Sequence, residues 1–449
     1  MARKNLKKEP FNILAMRGEE RLRDHVEDMH AADLVDILRD VPVRDAWRIL
    51  SLLPIDRQAT VFEHLDISAQ VTLARYLKRS ELARIITEMS GDDRADLFNK
   101  LSPEEQRTLM PALSQAERED IRRLSSYPEG TAGAIMTSDY AVLSPDWTAE
   151  EALNKLRLEA PDKETIYRSY VVDKQRKLLG AVSLKSLIIA DPDEKIEEIM
   201  DTSSPSLSIL DTQEDAARQV AKYDTLALPV LDENDRLVGI VTYDDAMDVV
   251  EEEATEDFHK MAHIGKLATG VRDAAISVLY RQRVTWLLLL IFVNIFTGAG
   301  IDYFEDVIAA YLPLVFFLPM LIGSAGNAGA QSATLMIRAM ATGDVEMKDW
   351  GMLVLREVLV SLAIGLTMAA TVAMIGYYKG GWEIALVVAL SMCMIVVIGS
   401  LIGLSLPFLL AKLEIDPATA STPLVTSIAD VTGVIVYLGI ASAVLNLPV

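Results

Sequence analysis

Residues 417–449 read PATASTPLVTSIADVTGVIVYLGIASAVLNLPV, and Asp430 is the one formally charged side chain among those 33 residues. A helix crosses the hydrocarbon core of a bilayer with about 20 predominantly apolar residues, and this run is long enough. Asp430 falls well inside it. A charge at bilayer depth costs about 3 kcal/mol or more on insertion scales, so it persists only where it faces water, protein or an ion. The functional reading is that Asp430 lines a cation path. The other reading is an aspartate buried against a donor, or one that caps a broken helix.

Four more uncharged runs precede this one, at 284–301, 307–337, 358–378 and 384–411. Together they predict five membrane-spanning helices. Arg281 and Arg283 stand before the first, Arg338, Lys348 and Arg356 between the second and third, and Lys412 between the fourth and fifth. Lys379, Asp302, Glu305 and Asp306 mark the opposite side. Basic residues favour the cytoplasmic side, which predicts cytoplasmic N-terminal domains and a C-terminus outside. The N-terminal MARKNLKKEP is basic without an apolar core behind it, so no secretory signal is expected.

The formal charge is −22, and residues 271–449 hold 8 basic and 12 acidic side chains, so −18 lies in residues 1–270. That balance argues against nucleic acid and suits a region that meets cations. A plain solvated acidic surface would look the same. The single Cys393 excludes a disulfide framework or thiolate cluster, and no Walker A motif points to an ATP-driven pump.

Between residues 20 and 125 the runs DLVDILRDVP, DAWRILSLLP, ATVFEHL, ELARIITEM, ADLFNKL and RTLMPAL carry apolar residues at helical spacing, punctuated by Pro42, Pro54, Pro103 and Pro111. A stack of short helices, an all-α superhelix, is predicted there. An internal repeat follows. SYVVDKQRKLLGAVSLKSL at 169–187 matches LPVLDENDRLVGIVTYDDA at 228–246, with Asp173 on Asp232, Gly180 on Gly239, Ser183 on Thr242 and, upstream, Met136 on Met200. Each unit predicts alternating strands and helices and resembles a CBS domain, so the pair implies an α/β tandem CBS module. In that family a hydroxyl and an acid three positions later hold an adenine nucleotide. Thr242 and Asp245 fit; Ser183 is followed by Ser186 instead of an acid.

The stretch DAMDVVEEEATEDFHKMA at 245–262 predicts an acidic helix leading to the membrane. Asp245, Asp248, Glu252 and Glu256 share a face there, and like charges at such spacing repel. Shared divalent cations, or solvent with partial relief from Lys260, would compensate. In the second span GSAGNAGAQSAT at 323–334 gathers small and amide residues, with Asn327, Gln331, Ser332 and Thr334 offering oxygens. In the fifth, Thr426 and Ser427 precede Asp430 by a turn and Gly433 follows it. Small faces of this kind serve close helix packing as readily as a pore.

Taken together these motifs resemble the MgtE family of magnesium channels over nearly the whole chain. The resemblance implies a multidomain protein: a helical N-terminal domain at 1–130, CBS domains at 131–195 and 196–250, a connecting helix at 251–270, and a pore domain at 271–449. It implies a homodimer in a lipid membrane, with Mg²⁺ as cargo and ligand, no enzymatic activity, and a pore lined by the second and fifth spans, including Asn327, Gln331, Thr426, Ser427 and Gly433. Asp430 matches the pore aspartate. Asp92, Asp96, Glu214, Asp224, Asp245, Asp248, Glu253, Glu256 and Asp257 match acids that sense cytosolic magnesium, and Asp416 matches a further cation site. Two positions depart from the pattern: Thr60 where an acid can stand, with Glu63 one turn on, and Ala330 where a second Asn can occur. The alternatives are a proton-coupled divalent-cation transporter and a membrane-anchored CBS regulatory protein.

Overall fold

The structure is a computed structural model that describes residues 19–261, 275–420 and 422–445. It divides after Glu253 into two compact units.

Short helices fill residues 19–124: Glu19–Glu27, Ala31–Leu38, Val43–Leu50, Ile55–Glu63, Ile67–Tyr76, Arg79–Glu88, Gly91–Lys100, Pro103–Leu109 and Gln115–Leu124. Their ends follow from the sequence. Pro42 and Pro54 stand at N-caps, Asp66 caps the Ala69 amide, and Ser102 with Glu105 and Ser114 with Glu117 form reciprocal capping boxes. Each helix packs on the next but one: Val43–Leu50 on Ile67–Tyr76, that on Gly91–Lys100, and that on Gln115–Leu124. The result is two columns winding as a superhelix. Leu34, Ile49, Leu50, Phe62, Ile85 and Ile86 fill the seam between them and are almost wholly buried.

Two three-stranded sheets follow. Strands β1 (Tyr140–Leu143), β2 (Thr165–Val172) and β3 (Leu178–Ser183) form the first; β4 (Leu207–Ser208), β5 (Ala227–Leu231) and β6 (Leu237–Thr242) form the second. In each the first pair is parallel and the second antiparallel. The repeat therefore folds as two copies of one unit, but their leading segments are exchanged. Thr137 bridges to Ile240 of β6, and Asp201 bridges to Ala181 of β3. The repeated glycines explain the crossing. A methyl on Gly239 would meet Met136 and Thr137, and one on Gly180 would lie 2.7 Å from the Asp201 carbonyl and 3.4 Å from Met200. Each repeated Met thus packs over the glycine of the other unit, so the sequence division at 195/196 does not coincide with the division of the cores.

The acidic helix runs Tyr243–Met261, starting directly after β6 and two residues before the stretch at 245–262 that predicts it; residues 262–270 lie outside the described residues. In the second unit the helices long and apolar enough to cross a membrane are Ile276–Tyr303, Pro313–Ala341, Met347–Lys412 and Thr422–Leu445. The third is two spans. Gly380 (φ −152°, ψ 17°) and Gly381 (φ 75°, ψ −167°) leave helical geometry, and the chain folds back so that Gly376 faces Ala385 and Val388 while Gly365 faces Cys393. A positive φ suits glycine, which has no Cβ to clash. Among the described residues five spans result, as expected.

Candidate ion-binding sites

Two groups of residues were singled out from sequence, one in each unit, and they are built differently.

In the membrane unit, the second span (Pro313–Ala341) and the fifth (Thr422–Leu445) are antiparallel neighbours. A methyl added to Gly326 would lie 3.2 Å from Thr426 Cγ2 and 3.7 Å from Asp430 Oδ1, so the missing side chain brings the Asp430 carboxylate against the second span. Gly433 is buried against Ile322 and Ala325 and serves that packing. On the other flank of the second span, Ala325, Gly329, Gly399 and Gly403 allow backbone contact with the fourth. Asn327 and Gln331 are exposed on the second span one helical step from this seam; Ser332 is buried instead and donates to Glu357 Oε1 of the third span at 2.9 Å. Thr426 and Ser427 both donate to the Pro423 carbonyl, at 3.0 and 2.8 Å, which leaves their lone pairs as acceptors; Ser427 is buried and Thr426 half-buried. Glu357 was missed in the sequence because it borders an uncharged run rather than interrupting one.

Asp416 opens the turn before the fifth span. Its Oδ1 accepts from the Ala418 amide at 2.8 Å, and its Oδ2 is 2.5 Å from Lys260 Nζ. Glu256 and Asp257 lie on the same helix as Lys260. Burial followed by the Asp416 charge raises the Asp257 carboxyl above its usual range.

In the first unit, a cavity of about 860 Å³ is walled by acids from separate elements. Glu63 comes from the end of its helix, Asp92 and Asp93 from the first turn of Gly91–Lys100, Asp139 and Glu164 from the first CBS unit, and Asp244, Asp245 and Asp248 from the start of the acidic helix. Arg39, His64, Arg94 and Lys163 offset them only in part, and Arg94 is committed to Asp120 and Asp139 at 3.8 and 3.5 Å. Ser90 donates its amide to Glu63 Oε1 at 2.6 Å and its hydroxyl to Asp93 Oδ2 at 3.0 Å. Asp92 Oδ1 is buried without a hydrogen-bond partner. Burial pushes Asp93 up to about 8, helped by the Asp92 and Glu63 charges, and pushes Asp92, Glu63, Asp245 and Asp248 upward as well. Such shifts mean that ionising the pocket is costly without counter-charge.

The structure thus brings Asp92, Asp245 and Asp248 together and adds Asp93, Asp139, Glu164 and Asp244, which sequence reasoning had not singled out. Asp96 is exposed one turn beyond Asp92. Glu214 is exposed in the first turn of Gln213–Tyr223, Asp224 is the exposed left-handed cap of that helix, and Glu253 accepts from Gln213 Nε2 at 2.5 Å. Among the described residues no three His, Cys, Asp or Glu side chains converge as a direct metal-ligand set. Mg²⁺ usually keeps several waters, so a ring of carboxylates at longer range suits it better than a tight cage. At the expected nucleotide position, Thr242 is buried and donates to Asp245 Oδ2 at 2.5 Å, so the hydroxyl and the acid are bonded to each other.

Comparison with known proteins accounts for this layout. Family models match as MgtE intracellular N domain at 29–130, CBS domain at 132–193 and 196–252, and divalent cation transporter at 318–440. Over 329 residues the chain is 43% identical to the magnesium transporter MgtE of Thermus thermophilus, covering 73% of each protein. The chain belongs to the MgtE family. The magnesium transporter MgtE of Bacillus subtilis is 37% identical over 332 residues, covering 74% of this chain and 73% of that one. Among solved structures, the cytosolic domain of the Mg²⁺ channel MgtE in complex with ATP aligns at 38% identity and a TM-score of 0.50, covering 52% of this chain and 95% of that one. Magnesium transport and a membrane-spanning helical domain are therefore family properties of this MgtE protein.

Proposed function

We propose that this MgtE protein is a homodimeric, Mg²⁺-selective channel of the bacterial inner membrane, gated shut by cytosolic Mg²⁺, with no catalytic role. The observation that carries the reading is the Asp430 carboxylate held against the glycine face of the second span. Two copies related by a two-fold axis would present two carboxylates, with Thr426 and the exposed amides of Asn327 and Gln331 as further oxygens. Oxygens of this kind hold a hydrated ion without stripping its waters, which is what fast passage of Mg²⁺ requires. Magnesium is cargo here, and also the ligand of the cytosolic acids.

For gating, the acid pocket supports a sensor. Asp92, Asp245 and Asp248, with Asp93 beside them, repel one another unless a cation intervenes, and a bound divalent cation would draw the N-terminal helices toward the start of the acidic helix. Asp96, Glu214, Asp224, Glu253, Glu256, Asp257 and Asp416 would contribute at neighbouring positions. The N-terminal domains would be cytoplasmic. An adenine nucleotide at the CBS pair is supported by the ATP complex of the related cytosolic domain; Thr242 and Asp245 would have to part to receive it.

The full chain in liposomes should pass Mg²⁺ down its gradient without proton counterflow. Asp430→Ala should reduce that flux at least about tenfold, equivalent to ~1.4 kcal/mol at one site, while the protein stays assembled. Proton counterflow matched to Mg²⁺ uptake would favour a coupled transporter instead, and unchanged flux and selectivity in the variant would remove Asp430 from the pore.

A further inference from the structure

The last turns of the acidic helix carry a cation among their acids. Lys260 Nζ lies 2.8 Å from Glu256 Oε1, one turn back on its own helix, and 2.5 Å from Asp416 Oδ2, which belongs to the turn that opens the fifth span. The Asp416 carboxylate is held in place because its other oxygen caps the Ala418 amide. Asp257 adds a third negative charge beside Asp416, with Arg338 at the end of the second span opposing it. Burial works to lower the Lys260 ammonium, but its hydrogen bonds to Asp416 and Glu256 outweigh that and hold it above its ordinary value. Glu256 and Lys260 share one helix, so their pairing alone is an ordinary surface contact. Asp416 is 156 residues away in sequence, and that contact joins two elements.

We propose that Lys260 is a built-in counter-cation that ties the end of the connecting helix to the first turn of the fifth span when no divalent cation is there. Without the ammonium, the like charges of Asp257 and Asp416 stand beside one another, and the helix end separates from the span that carries Asp430. The consequence for gating rests on the channel reading above; the contact itself does not. The side chains are 32% and 38% exposed, so the bridge is partly screened and acts as a modest, reversible tie.

Hydrogen exchange of the full chain in lipid nanodiscs with chelator tests this. In Lys260→Met, residues 254–261 should exchange about two- to fivefold faster than in the unaltered protein, the effect of a partly exposed ion pair. Lys260→Arg should restore the original rate, and Asp416→Asn, which keeps the capping oxygen and loses the charge, should accelerate exchange as Lys260→Met does. Residues 19–124 serve as the control for folding, and Asp416→Asn gives the same reading should Lys260→Met fail to fold. Unchanged exchange at 254–261, or an Arg variant as fast as the Met variant, overturns the proposal. In parallel flux measurements Lys260→Met should raise Mg²⁺ passage at low cytosolic Mg²⁺ by a similar factor. If the protein passes no Mg²⁺ while the exchange pattern holds, the channel reading fails and the tie stands.

Discussion

Gly403 illustrates how much rests on single atoms in the membrane unit. Its missing side chain lets the Gly329 carbonyl approach, and Gly399 does the same for the Ala325 carbonyl one turn earlier. Helices in a bilayer gain little from apolar burial against each other, because lipid is equally apolar, so close backbone approach supplies much of their attraction. Gly403→Val should therefore pry the second and fourth spans apart at a cost of about 1–3 kcal/mol, the range for overpacking a tight site. A drop in thermal stability of the detergent-solubilised protein checks it. Gly351, which has open space around its Cα, is the control: Gly351→Ala should leave stability unchanged. Gly326 works at the same scale with a different consequence, since the space it leaves is where the Asp430 carboxylate comes to rest.

At the scale of elements, the first turn of Gly91–Lys100 faces the first turn of Tyr243–Met261 across the acid pocket, and titration should expose the strain between them. Asp93 is held near about 8 by burial, then by Asp92 and Glu63, against an unfolded value of about 3.9. A folded pKa above the unfolded one means the folded state prefers the protonated acid. The stability that this contributes is complete below about pH 4 and is lost as pH rises through about 8. In chelator, the first unit should thus melt higher at about pH 6 than at about pH 8.5, and Asp93→Asn should flatten that difference. Mg²⁺ should raise the melting point more at the higher pH, where more carboxylates are ionised. A melting point that does not move with pH in chelator would show that the pocket acids are relieved by other means. The sequence made parts of this site legible and not others. Asp245 and Asp248 follow from helical periodicity, and the repeat announced both CBS units. Asp139, Glu164 and Glu63 reach the pocket only through tertiary folding, from a loop, a strand edge and a helix end that no local pattern joins. The exchange of leading segments was equally hidden: the repeated Met and Gly were visible, but not that each Met covers the other unit's Gly. The break at Gly380 and Gly381 was placed only to within the gap between the uncharged runs 358–378 and 384–411.

At the scale of the whole molecule, the acid pocket gathers like charges from separate elements of the first unit, Asp92 and Asp93 on one helix and Asp244, Asp245 and Asp248 on another. Two unit charges about 4 Å apart repel by roughly 4 kcal/mol at an effective dielectric near 20, so a few unscreened pairs in the acid pocket suffice to drive its walls apart. A divalent cation reverses the sign of that interaction. A ligand shifts a conformational equilibrium only through different affinity for the two states, so the gating proposed above requires that the compact form bind Mg²⁺ more tightly. Millimolar Mg²⁺ should then protect residues 19–253 of the full chain from limited proteolysis. Asp245→Ala with Asp248→Ala removes two of the pocket's carboxylates and so has two separable effects. With chelator the double variant should be more resistant than the unaltered protein, because repulsion is smaller. With Mg²⁺ it should gain less protection, because two oxygen donors are gone, and its flux should persist to higher cytosolic Mg²⁺. Loss of the Mg²⁺ response without any change in chelator would mean that these acids bind the ion but store no repulsion. Identical cleavage with and without Mg²⁺ in the unaltered protein would remove the pocket from gating and leave the Asp430 site to stand alone.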